Sequence, residues 1–204
     1  DSQTPLEESL NALDLAVTSG KVRYVGVSNF AGWQLAMAGS LPTSLGNASL
    51  ISSAQMEYSL LQRGIEREVI PAAKALGAGI MAWSPLGRGV LTGKYRHNTP
   101  ADSRGASKHF AGFVTPYLAE RPSTIVDAVS VAAEALGHTP LDVSLAWVLS
   151  RKQVSTAIVG ARTASQLRAI MHGLDTVLPV EIVEALDDVS TPHLGYPEYG
   201  WNQS

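Results

Sequence analysis

The sequence predicts an α/β protein built on a parallel sheet, and three observations carry that reading. Apolar runs of strand length alternate with segments at helical period, the pattern of strand–crossover–strand units. Val22–Val27 runs without clean alternation, as expected of a strand covered on both faces, and Ala78–Trp83 and Ser155–Val159 read as further short apolar, buried strands. Four strands end on small or polar residues placed for a common ligand: Ser28-Asn29, Gln55, Ser84 and Gly160. Strands and helices alone leave a doubly wound sheet and a β/α barrel both open. A dinucleotide site of the doubly wound kind needs a Gly-x-Gly-x-x-Gly turn after its first strand, and Gly87-Arg88-Gly89 is too short for that. Ligand groups at successive strand ends, with a phosphate site after the last, describe the top of a TIM barrel.

Each element has a local reason. In Thr4-Pro5-Leu6-Glu7, Thr4 is the expected N-cap with Pro5 at the first helical position; Leu6, Leu10, Leu13 and Val17 follow at helical spacing, and Gly20 ends the helix. After the strand Val22–Val27 come a helix over Trp33–Gly39, a loop over Pro42–Ser49 and a strand over Ile51–Tyr58. Gly64–Leu76 reads as a helix with Ile65, Val69, Ala73 and Leu76 on one face, and Pro71 inside it predicts a kink. Lys94–Arg121 shows no sustained period and is expected to be a long loop, of the kind that is functional or disordered. Helices resume at Thr124–Leu136 and Pro140–Ser150, the latter with Thr139 and Asp142 at capping positions. Pro179–Val189 is the last helix, and the tail Pro192–Ser204 is expected to pack over an opening.

Composition removes several function classes. A net charge of −3 with 15 scattered Lys and Arg gives no footprint for nucleic acid. The absence of cysteine excludes a disulfide framework and thiolate metal sites and fits a reducing compartment. With no apolar run of membrane-spanning length and a polar, acidic Asp1–Glu8, a soluble cytoplasmic protein without membrane contact is expected.

One stretch reads as a ligand site by itself. Around Val154–Arg168, a strand gives way to a tight turn at Gly160 and a helix starting near Thr163. Helix N-termini present free N–H groups and a positive dipole end, Gly160 permits close backbone approach, and Arg162 adds a guanidinium fork. Thr163 and Gln166 also stand at capping-box spacing, which a helix uses with no ligand at all.

Four motifs in order then resemble the aldo-keto reductase superfamily: Gly26-Val27-Ser28-Asn29-Phe30, Gln55-Met56-Glu57-Tyr58-Ser59, the run from Trp83 through Leu86-Gly87-Arg88-Gly89 to Tyr95, and Gly160-Ala161-Arg162-Thr163. The resemblance covers essentially the whole chain and implies a (β/α)8 barrel, of which residues 1–204 would be the C-terminal part of a single domain, strands five to eight. Such barrels run to roughly 250 residues or more. The family's catalytic Asp, Tyr, Lys and His come from the first four strands. Tyr58, Tyr95, His97 and His109 do not match them, so the chain is expected to be catalytically incomplete on its own.

The resemblance implies reduction of a small aldehyde or ketone by hydride from NADPH. By matching position, Ser28, Asn29 and Gln55 would hydrogen-bond the nicotinamide carboxamide, and Trp83 would stack on its ring. Ser84, Pro85, Leu86, Gly87, Gly89 and Leu91 would wrap the pyrophosphate, the two glycines letting N–H groups turn inward, while Lys94 and Arg104 lie on a loop folding over the cofactor. Gly160 and Arg162 would meet the adenosine 2′-phosphate, giving NADP(H) preference over NAD(H), with Thr163 and Gln166 at the adenosine end. Relatives often carry Glu and Asn where this chain has Ala169 and Ile170, so contacts to adenine depart from pattern. Phe30, Trp33 and the aromatic tail (Tyr196, Tyr199, Trp201) are equally readable as substrate pocket or as packing.

Two other readings remain. The β subunits of voltage-gated potassium channels resemble this family, and a nucleotide-sensing regulatory subunit would share the same pocket. A half-barrel standing alone would associate with itself to cover open strand edges, making a homo-oligomer the expectation in that case.

Overall fold

A computed structural model of the chain describes residues 3–41, 50–96, 99–100, 104–108 and 111–193. Four strands, β1 (Val25–Ser28), β2 (Ile51–Glu57), β3 (Gly79–Trp83) and β4 (Val154–Ile158), form one parallel sheet in the order β1-β2-β3-β4. Strand order that follows chain order is the barrel pattern; a doubly wound sheet reverses direction at a switch point. The architecture is therefore α/β, corresponding to half of a (β/α)8 barrel. Among the described residues no helix is long and apolar enough to cross a membrane. By contacts the chain forms two units, one of Asp1–Met56 with Ile65–Met81 and one of Glu57–Gly64 with Ala82–Ser204.

In the first unit, β1 and β2 pair in parallel through Gly26↔Ser53, Val27↔Ala54 and Ser28↔Gln55. An irregularity between Val25 and Gly26 leaves Ser52 as the extra residue of β2, and its hydroxyl donates to the Val25 carbonyl at 2.9 Å, replacing a ladder bond. The helices α1 (Leu6–Thr18), α2 (Gly32–Ser40) and α3 (Val69–Leu76) pack on one another, α1 on α2 and α2 on α3, and bury Leu10, Leu35, Ala38, Val69 and Ala73. Two glycines one heptad apart on α2 let it approach α3. A Cβ at Gly32 would come within 2.3 Å of Glu68 Cβ, and one at Gly39 within 2.3 Å of a Leu76 methyl.

Two expectations for this unit change. Pro5 rather than Thr4 occupies the N-cap of α1, so no side chain caps that helix. The kink expected at Pro71 does not arise, because Gly64–Glu66 is a separate 3-10 turn and α3 begins only at Val69. Pro71 thus falls in the first turn, where its missing N–H would have had no helical partner.

The second unit holds the end of β3, β4 and five helices. These are α4 (Ala111–Val114), α5 (Glu120–Leu136), α6 (Pro140–Leu149), α7 (Ala164–Gly173) and α8 (Val180–Ser190). α6 is buried on every side from Asp142 to Val148, as a helix lined with apolar residues all round must be. Its start is the capping box foreseen: Asp142 N–H donates to Thr139 Oγ1 at 3.2 Å, and the Asp142 carboxylate accepts from Thr139 N–H at 2.9 Å. The Asp187 carboxylate of α8 accepts from Trp147 Nε1 at 3.0 Å and Arg151 Nη1 at 3.0 Å, and Arg63 Nη1 lies 3.3 Å away. The two guanidinium groups lie over the fully buried Trp147 ring at 5.3 and 4.2 Å from its centroid.

The long loop expected over 94–121 is built instead, where described, from a 3-10 turn (Arg104–Ala106), α4 and a second 3-10 turn (Thr115–Leu118), and α5 starts at Glu120 rather than Thr124. β4 is also not the buried strand expected, since Ser155, Thr156 and Ile158 are exposed. It ends the strand order, and without a further neighbour among the described residues its faces and edge lack the cover that buries an inner parallel strand. The loop 42–49 and the tail aromatics Tyr196, Tyr199 and Trp201 lie outside the described residues.

Candidate functional site

In the first unit, the register of β1 on β2 brings three of the expected residues together. Ser28 is level with Gln55, and Asn29 N–H donates to the Gln55 carbonyl at 3.0 Å. Asn29 takes a left-handed backbone (φ 57°), a conformation Asn tolerates better than most residues, and it turns the chain off the strand end. Three hydrogen-bonding side chains are thereby gathered at the C-terminal ends of two adjacent strands. Trp33 on α2 is largely exposed and Phe30 half-buried.

In the second unit, the end of β3 leads into a loop of repeated left-handed turns: Ser84 (φ 51°), Gly87 (54°), Arg88 (59°) and Gly89 (89°). Tyr58 N–H donates to the Trp83 carbonyl at 3.2 Å and fixes the strand end. The N–H groups expected to turn inward at Gly87 and Gly89 are bonded within the loop, to the Ser84 and Leu86 carbonyls at 2.9 Å each. The glycines contribute shape rather than donors. At Gly87 a Cβ would also come within 2.8 Å of a Leu61 methyl.

This loop lines a cleft of about 1040 Å³ through Trp83, Ser84, Pro85, Leu86, Arg88, Gly89 and Lys94, together with Ile158, Val159, Gly160, Arg162, Gln166 and Ala169; buried Gly87 does not line it. The volume suits a ligand at or above the upper end of the usual small-molecule range. Gly160 has no atom within 4 Å of where a Cβ would stand and no positive φ, so neither packing nor backbone requires glycine there. Open space over a Cβ-free residue at a cleft wall is what close approach of a ligand calls for.

Beyond Gly160, Thr163 caps α7, accepting from Gln166 N–H at 3.2 Å, while Gln166 Oε1 accepts from Arg162 N–H at 2.8 Å. Only half of a capping box forms, since Gln166 Oε1 takes the Arg162 N–H and not that of the N-cap Thr163, and Gln166 also lines the cleft. Thr163 does not line it, and Leu91 is wholly buried beneath the loop. Arg104 opens its 3-10 turn, with its side chain outside the described set; Tyr95 Oη accepts from the neighbouring Gly105 N–H at 3.1 Å.

A cluster that sequence reasoning missed adjoins the loop. Arg88 Nε and Nη2 donate to the two oxygens of Glu57 at 2.7 and 2.6 Å, and Nη1 donates to the Phe113 carbonyl at 2.5 Å. Tyr117 Oη donates to Glu57 at 3.0 Å. Burial, then the Glu57 charge, pushes the Tyr117 phenol up to about 12; the Glu57 bond raises the pKa of Arg88 further. The available signal was Glu57 itself, a carboxylate two residues beyond Gln55 and so on the same face of β2.

Fold and site together define an α/β protein with polar groups at its strand ends and a cleft lined by the segments after β3 and β4. The chain belongs to the aldo/keto reductase family, whose model matches residues 1–191. It is 38% identical over 189 residues to the uncharacterized oxidoreductase YrpG of Bacillus subtilis (strain 168), covering 93% of this chain and 55% of the relative. A probable voltage-gated potassium channel subunit beta of Oryza sativa subsp. japonica is 34% identical over 191 residues, 93% of this chain and 58% of that one. The L-glyceraldehyde 3-phosphate reductase of Escherichia coli (strain K12) is 30% identical over 180 residues, 87% and 51%. The chain thus spans about half the length of these relatives.

Proposed function

We propose that the chain is the cofactor-binding part of a single aldo-keto reductase barrel, in a protein that reduces small aldehydes or ketones with NADPH. The observation that carries this reading is the cleft, which brings an aromatic ring, a tightly turned glycine loop, an open glycine and an arginine onto the walls of one space. By their positions in the family motifs, Trp83 would offer a flat face to the nicotinamide ring, and Ser28, Asn29 and Gln55 would offer amide and hydroxyl groups to its carboxamide. The turns at 84–89 leave room for a pyrophosphate, and Arg162 matches a 2′-phosphate with its planar donors. Ala169 beside it makes the adenine wall apolar, so the phosphate supplies most of the discrimination at that end.

When bound, the nucleotide supplies hydride to a carbonyl carbon. The proton that completes an alcohol would come from the tyrosine that the family resemblance puts outside this chain.

A second reading, a nucleotide-sensing regulatory subunit, is favoured by the rice relative's name. Steady-state NADPH oxidation by the full-length protein, with a short aliphatic and an aromatic aldehyde as substrates, separates the two. Turnover at the usual enzymatic scale of one or more per second supports the reductase. Tight NADPH binding with turnover slower than a thousandth of that supports the sensor.

A further inference from the structure

We propose that Arg88 is a positioning residue for the cofactor: gripped by Glu57, it ties the turn at 87–89 to the segment 111–118 and so holds Phe113 against Trp83. The proposal rests on the reading of the cleft as a nicotinamide nucleotide site. Each of the three guanidinium nitrogens donates, two to Glu57 and one to the Phe113 carbonyl. The faces of the guanidinium are used as well, with its carbon 3.6 Å from the Phe113 ring centroid and 4.8 Å from that of Tyr117. Tyr117 closes the group by donating to Glu57. Arg88 and Glu57 side chains are 15% and 13% exposed, so water screens this pair little.

Two features give the cluster a role beyond holding the fold. The first is the backbone of Arg88, left-handed at φ 59°, in a loop that lines the cleft. A branched-chain-free but bulky residue keeps that conformation only where its surroundings over-determine it, and the grip of Glu57 does so. The second is Phe113, whose ring lies nearly parallel to Trp83, at 10° and 6.5 Å between centroids, although it is 37% exposed. Beyond this partial burial, Phe113 is held by Arg88 through both ring and carbonyl. The platform for the nicotinamide and the turn for the pyrophosphate are thus set by one guanidinium. Lysine would supply a single charged point and cannot hold both.

The test is stopped-flow release of NADPH and NADH from the full-length protein and its Arg88→Met, Arg88→Lys, Glu57→Gln and Glu57→Gln/Arg88→Met variants. Arg88→Met should release both nucleotides about 10-fold faster or more, the scale of a lost charge-assisted bond. Because Arg162 is untouched, the NADPH-to-NADH affinity ratio should stay within about twofold of wild type, and Arg88→Lys should not rescue. The double variant should be no worse than Arg88→Met alone, since both changes break one unit. If Arg88→Met does not fold, Arg88→Lys decides. Release within twofold of wild type in the folded Arg88 variants, or full rescue by Lys, overturns the proposal. A wild-type protein that binds neither nucleotide overturns the functional reading and this proposal with it.

Discussion

Arg162 and Arg88 show how differently one residue type is used in one cleft. Arg162 is exposed at the cleft wall, with its backbone N–H tied to Gln166. Arg88 lines the same cleft, but its guanidinium is engaged by Glu57 and two aromatic rings, and it shapes the cleft through what it holds. The same cluster sets a pH limit. The Tyr117 phenol has its pKa raised from 10.0 to about 12, first by burial and then by the Glu57 charge. A raised pKa means the protonated phenol is favoured by folding, so this contribution is whole below pH 10 and lost as pH rises towards 12. In an absorbance titration of the folded protein, Tyr117→Phe should remove one tyrosine that ionises later than the exposed ones. Loss of an ordinary, early-ionising tyrosine would contradict that environment.

At the scale of elements, the glycines of α2 and the carboxylate of α8 hold the helices in place. Gly32→Ala drives a Cβ into Glu68 backbone and side-chain atoms, and thermal or denaturant unfolding should show a loss of about 1–3 kcal/mol. Ala at an exposed helical glycine would normally stabilise, so the sign itself tests the close approach. Asp187→Ala leaves Arg63, Arg151 and the Trp147 N–H without their carboxylate and should cost roughly 2–3 kcal/mol. Apart from α4, which falls in the expected loop, the order of these elements was legible because their periodicity is local: α5, α6 and α8 differ from expectation by a few residues at most. Their ends were less so. Pro71 reads as a kink in a long helix, and only the separate turn at 64–66 reveals it as a first-turn proline. Glu57 and Arg88 are 31 residues apart in sequence, and no local pattern announces a bond between them. The expected ligand residues came from motif resemblance, and the cleft gathers most of those in the second unit; Thr163 as a cap, and Gly87 and Leu91 as buried residues, take roles that depend on packing.

For the whole molecule, the four strands in chain order and the open flank of β4 make this half of a (β/α)8 barrel. Leu167 and Met171 on α7, the helix that follows β4, are also exposed. The central claim is that the cleft after β3 and β4 holds NADP(H) with Arg162 at its 2′-phosphate. It is tested most directly by fluorescence titration of the full-length protein and its Arg162→Ala variant with NADPH and with NADH. The account predicts that Arg162→Ala weakens NADPH binding by about 10- to 100-fold, the scale of a charge-assisted fork, and leaves NADH binding within about threefold. Equal weakening of both nucleotides, or of neither, would contradict it.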